Sequence, residues 1–260
     1  MKLKTLFSAV AVVAGTALAG ASANAAPFPD FTVDSSAYGG KVFTADKITG
    51  GYVEVIDFTS ATTFNVSLLV QFGQFWADEG LTKVVGTGID SGYQLYATFL
   101  GSGTYSTTGS GSASFSLDPG GALNVWLDPG LDTTFTTPST AVAWGINAVT
   151  ADIQIATGEA ITGNGNLTCS GSNNCGSFGQ TTSFELTDPD GKSFFTAPSP
   201  FYDLAITTGQ FNGFPIVVGG SQTLNGSADT VFQRVPEPGT LALLGLAALG
   251  LGAGTRRRSN

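Results

Sequence analysis

Residues 64–72 read Phe-Asn-Val-Ser-Leu-Leu-Val-Gln-Phe. Phe64, Val66, Leu68, Val70 and Phe72 fall on one side of an extended chain, while Asn65, Ser67 and Gln71 fall on the other. Successive side chains of a strand point to opposite faces, so this spacing suits a half-buried β-strand. It does not suit a helix, whose apolar stripe recurs every three to four residues. Residues 52–58, 93–100, 122–127, 153–161, 183–186, 204–208 and 230–232 read in the same way. Turn-forming clusters punctuate these runs: Thr49-Gly50-Gly51, Asp118-Pro119-Gly120-Gly121, Asp128-Pro129-Gly130, Asp188-Pro189-Asp190-Gly191 and Asn225-Gly226. No amphipathic helix of three turns interrupts them. Many short strands with regular turns predict an all-β domain, a β-sandwich of jelly-roll type with two sheets facing across an apolar core. The Gly, Ser and Thr-rich stretch 101–116 has two readings, a surface loop or a pair of edge strands with Thr107 to Gly111 at the tip. No repeat of fixed period is present, which disfavours a solenoid or propeller.

Different rules govern the two ends of the chain. Lys2 and Lys4 precede an apolar run from Leu6 to Ala19, and Ala23-Asn24-Ala25 forms a small-residue cleavage site. Those three parts predict a secretory signal peptide over residues 1–25, helical in the membrane and cut after Ala25. The sandwich then occupies residues 26–234, a length that buries one sizeable core. At the other end, residues 235–260 change composition abruptly. Pro236-Glu237-Pro238 precedes fourteen apolar and small residues, 241–254, and Arg256-Arg257-Arg258 follows. As a helix those fourteen residues reach about 21 Å, short of a hydrocarbon core of about 30 Å. Six leucines diluted by four glycines favour insertion only weakly, so the segment suits temporary residence in a membrane. The arginines stay on the cytoplasmic side and leave the body across the membrane.

Charge and cysteine usage narrow the partners. Between these two ends lie five basic and eighteen acidic residues, a balance of −13. Such a surface repels nucleic acid and anionic lipid. Cys169 and Cys175 enclose Ser170-Gly171-Ser172-Asn173-Asn174, and in an oxidising exterior they read as a local disulfide. Closing so short a loop restricts the unfolded chain by about 2 kcal/mol, enough to pin a hairpin.

The run from Val235 to Arg258 resembles the PEP-CTERM sorting signal, in which a Pro-Glu-Pro triplet, a short hydrophobic helix and a basic cluster direct processing by an exosortase-type transpeptidase. The resemblance implies transient anchoring in the inner membrane, then release to the cell surface or extracellular matrix. It assigns sorting to Pro236, Glu237 and Pro238, and membrane retention to Arg256, Arg257 and Arg258. The body is similar, in scattered segments, to the flocculation-associated PEP-CTERM proteins. These segments include Phe31-Thr32-Val33-Asp34, Ala45-Asp46-Lys47-Ile48-Thr49-Gly50-Gly51-Tyr52, Asp132-Thr133-Thr134-Phe135, Cys175-Gly176-Ser177-Phe178-Gly179, Pro200-Phe201-Tyr202 and Gly226-Ser227-Ala228-Asp229. That similarity implies a matrix protein promoting flocculation or biofilm formation together with an exopolysaccharide or other matrix polymer. It brings no residue-level site.

Chemistry has little to build on. The chain has no histidine, so neither a Ser-His-Asp nor a Cys-His nucleophile system can be assembled, and no His-ligated zinc. No catalytic set is expected. Paired carboxylates would still suffice for a glycoside-active enzyme, with Glu54, Glu79, Glu159 and Glu185 as the glutamate candidates. Asp78-Glu79 sits most naturally in a surface turn with Gly80. No cofactor is expected, and calcium is the one metal worth weighing: Asp128, Asp132, Asp188 and Asp190 are candidate oxygen ligands in Gly-containing turns, although Asp-Pro-Gly also forms plain tight turns. For a carbohydrate-binding module the candidate stacking residues are Trp76 and Trp126. Trp126 is out of phase with Leu123, Val125 and Leu127, and so points away from the core those residues define.

Overall fold

In the computed structural model, residues 28–108, 112–168 and 175–234 are described, and most of them are extended. The first strands are β1 (Phe31–Asp34), β2 (Val42–Ala45), β3 (Lys47–Phe58), β4 (Thr63–Ala77) and β5 (Thr82–Lys83). The middle of the chain gives β6 (Gln94–Thr107), β7 (Ala113–Leu117), β8 (Gly120–Asp128), β9 (Thr134–Thr136), β10 (Gly145–Asn147) and β11 (Ile153–Leu167). Then come β12 (Gly176–Ser183), β13 (Glu185–Leu186), the one-turn helix α1 (Asp190–Phe194), β14 (Phe195–Ala197), β15 (Leu204–Phe211) and β16 (Ser221–Gln233).

The expected jelly-roll sandwich is not formed. Strands β3, β4, β6, β8, β11, β12, β15 and β16 pair in that order, each antiparallel to the next in the chain. The last then pairs with the first, from Ser221 opposite Asp57 to Thr230 opposite Ile48. The result is a closed eight-stranded up-and-down barrel. Closure satisfies the backbone groups that two open sheets would leave along their edges. Bulges bend the wall at Thr49/Gly50 in β3 and at three places in β11. Strand β7 sits end to end with β8, filling the same gap between β6 and β11. Residues 101–107 and 113–116 are therefore barrel wall, and Tyr105 and Ala113 within them are buried.

Apolar residues point inward and polar ones outward. Phe64, Val66, Leu68, Val70 and Phe72 are all buried, whereas Asn65 and Gln71 are exposed. Barrels that sit in lipid show the opposite arrangement, so this wall faces water. Inward glycines make room for rings in the half of the barrel where β11 ends and β12 begins. A Cβ on Gly103 would come within 2.6 Å of the Phe64 ring, and one on Gly209 within 2.5 Å of the Phe178 ring.

Each end of the barrel is plugged. At one end, β14, β1 and β2 form a small sheet. Phe31 there packs edge-on against Phe195, Phe201 and Phe232 at 5.0–6.5 Å. At the other end, residues 212–220 cross the opening as a strap. Phe214 of the strap is buried against Phe58, Phe115 and Phe211. The first and last described segments meet at the plugged sheet end. Tyr202 donates its hydroxyl hydrogen to Asp30 O at 2.6 Å, and the Arg234 guanidinium lies over the Tyr202 ring while Nη2 donates to Pro200 O at 2.8 Å. Neither the signal-peptide helix nor the C-terminal hydrophobic helix falls within the described residues.

Candidate functional site

The lumen offers the most enclosed site. Two cavities, about 60 and about 40 Å³, lie inside the wall and share Leu68, Phe99 and Gln180 as lining. The larger is walled by apolar side chains including Phe64, Val66, Phe115, Leu117 and Phe211, with Asn164, Gln180 and Glu54 as its polar members. Glu54 reaches it because β3 alternates inward at Tyr52, Glu54, Ile56 and Phe58, opposite Leu68 of β4 and Leu224 of β16. Among the described residues its carboxyl has neither a hydrogen-bond donor nor a cation beside it, and the residue keeps some accessible area. Loss of water with nothing in exchange pushes its pKa up to about 7. The sequence names Glu54 only as one of four glutamates; an acid on the apolar phase of a strand was the signal that singles it out.

No second carboxylate lines either cavity. Among the described residues, then, the facing pair that glycoside hydrolysis requires does not line these two cavities. Of the other glutamates, Glu79 lies in a turn where Asp78, Glu79 and Gly80 all have positive φ. Buried Asp46 holds that turn by accepting the Glu79 and Gly80 amides at 2.5 and 3.0 Å. Nothing in the sequence marked Asp46 for this work.

Three of the four candidate calcium ligands, Asp128, Asp132 and Asp188, are occupied locally. Asp128, fully buried, accepts the amides of Gly130, Asp132 and Thr133 at 2.8–3.0 Å. Asp132 accepts the amides of Val149 and Thr150 and the Thr150 hydroxyl; these bonds hold its carboxyl below the usual carboxylate range. Asp188 pairs with Lys192 at 2.7 Å, and Asp190 opens α1. Among the described residues no three acidic, histidine or cysteine side chains converge.

The two candidate stacking residues, Trp76 and Trp126, do not share a cluster. Trp126 does point out of the barrel, but it packs under the β9–β10 hairpin beside Leu69, Tyr96, Trp144 and Phe135. The hairpin loop is fastened there by Ser67, which donates to Val142 O at 2.6 Å, and by the Ala141 amide, which donates to Asp57 at 2.7 Å. Trp76 donates its indole hydrogen to Thr49 Oγ1 at 2.9 Å, with Lys47 Nζ 5.5 Å above its ring. Neither ring is part of a flat exposed strip.

Ala25, Cys169, Pro236, Glu237, Pro238, Arg256, Arg257 and Arg258 lie outside the described residues. Cys175 begins just before β12 and its carbonyl accepts from the Thr168 amide and hydroxyl, both at 2.8 Å. Among the described residues no helix is long and apolar enough to cross a membrane.

Residues 234–258 match the PEP-CTERM protein-sorting motif. The chain thus carries the signal that directs exported proteins through a membrane-held stage and exosortase processing to the surface or exterior. No curated protein and no solved structure matches it.

Proposed function

We propose that this protein is a non-catalytic surface or extracellular-matrix component that promotes cell aggregation together with an exopolysaccharide. The observation that carries the reading is the sorting motif over residues 234–258, and the scattered similarity to flocculation-associated proteins supports it. The barrel suits the role: its wall is polar and acidic, and its strands leave no open edge along the closed sheet to pair with neighbours. Many weak contacts on such a wall give strength through multivalency and need no single strong site. The test is a strain in which Pro236, Glu237 and Pro238 are all replaced by Ala. Cell settling should fall to that of a deletion strain while the protein accumulates in the membrane fraction. Normal settling with the protein stranded there would remove the aggregation role.

A further inference from the structure

We propose that the barrel lumen binds a slender alkyl primary amine, with the ammonium group on Glu54 and the chain along the apolar cavities. This inference is independent of the aggregation reading.

Shape, lining and charge each contribute. An eight-stranded barrel has an interior that is either filled by its side chains or holds one small ligand. Here the filling is incomplete, and the two cavities adjoin through the shared residues Leu68, Phe99 and Gln180. The larger has room for roughly four or five water-sized spheres, at about 10–15 Å³ each. Volumes of about 60 and about 40 Å³ exclude a fused ring system, and the proposed hydrocarbon chain extends from the larger cavity toward the smaller past Leu68, Phe99 and Gln180. The walls are rings and aliphatic side chains, so burial of a chain is favourable by about 0.8 kcal/mol per methylene.

The polar end of the ligand is set by Glu54. An enclosed carboxyl without a partner is costly to keep, and nothing in the fold requires it there: its neighbours across the sheet are Leu68 and Leu224. Among the described residues no cationic side chain lines either cavity. A ligand ammonium would supply the missing charge and hydrogen bonds together. A carboxylate of the same length would instead meet a like charge.

Entry is at the strap end. Phe214 holds residues 212–220 down by ring contacts at 5.8–6.3 Å, while Val217 and Val218 on the same strap are more than half exposed. The strap is also tied to β3, where the Gly219 amide donates to Phe58 O at 2.7 Å and the Phe58 amide to Gly220 O at 3.1 Å. Entry therefore requires Phe214 to swing out while that end stays attached.

The experiment is titration of the purified exported protein with n-hexylamine by calorimetry at pH 8 and pH 6, with sodium hexanoate as the matched control. One-to-one saturable binding of the amine is expected at pH 8, about tenfold weaker at pH 6 where Glu54 is mostly protonated. Hexanoate should not bind. Glu54→Gln, which removes only the charge, should lose the amine at least tenfold at pH 8. Amide chemical shifts of the wild type should move at Gly163, Gly165 and Gly179, which line the cavity. The proposal fails if the amine does not saturate, if Glu54→Gln binds it as well, if hexanoate binds equally, or if the shifts are confined to the outer wall.

Discussion

At the scale of single residues, two acids do opposite things. Asp128 is fully buried and gives both carboxylate oxygens to backbone amides. Asp128→Ala would leave three donors without an acceptor, and each buried unsatisfied group costs about 1–3 kcal/mol. Water will reach some of them, so a loss of about 2–4 kcal/mol is expected in urea denaturation, with calcium unable to restore the wild-type midpoint. Glu54 has no partner, and its pKa rises on folding from 4.5 to about 7. The folded state therefore holds the proton more tightly than the unfolded state. The chain is most stable below about pH 4.5 as far as this group is concerned, and loses stability as pH rises toward 7, by roughly 3 kcal/mol at the limit. Glu54→Gln should therefore be more stable than wild type at pH 8, and the gap should narrow at pH 5. Equal gaps at both pH values would mean that the carboxyl is solvated. Glycines act by their missing atom: a Cβ on Gly226 would sit 2.0 Å from Gln210 O and 2.7 Å from the Tyr52 ring.

Among elements, the β11–β12 hairpin carries the cysteines. We expect Cys169 and Cys175 to be joined in the exported protein. Non-reducing peptide mapping should find one bridged peptide, and replacing both by Ser should lower stability by about 2 kcal/mol without unfolding the barrel. Two freely alkylated thiols would contradict this. The strands that alternate strongly were legible in the sequence, although their ends were not: residues 204–208 became β15, which runs on to Phe211. Strand β12 was missed because Gly179, Gln180 and Thr181 show no apolar phase. Asn225-Gly226 and Thr49-Gly50-Gly51 looked like turns yet lie within β16 and β3. There Gly226 faces Tyr52 across the strands, and Gly50 sits at a bulge. Turn composition reports what the backbone tolerates, and close ring packing or a bulge needs the same residue as a turn does. The lumen site was hidden for a related reason. Alternation assigned Glu54 to a strand, but only the closed wall shows what surrounds it.

For the whole molecule, sandwich and barrel share one alternation pattern, since each has an apolar face and a polar face. What separates them is whether the first and last long strands meet, and the ten residue pairs between β3 and β16 decide that. Periodicity cannot report a contact between residues so far apart in the chain. The sorting tail was fully legible because its three parts are contiguous. Intact-mass measurement of the extracellular protein should find the Arg256-Arg257-Arg258 end removed; its presence would mean that release occurs without cutting. Where that tail leaves the barrel has a geometric consequence. Arg234 and Asp30 are both gathered at Tyr202, on the sheet-plugged end, and the strap lies at the other. A bulky maleimide should therefore label a cysteine placed at Val218 faster than one placed at Asp30 while the tail is still embedded. Copies held in a membrane by their tails would stand like posts in a fence, rooted by one end, with the strap of each uppermost and the first surface an approaching neighbour would touch.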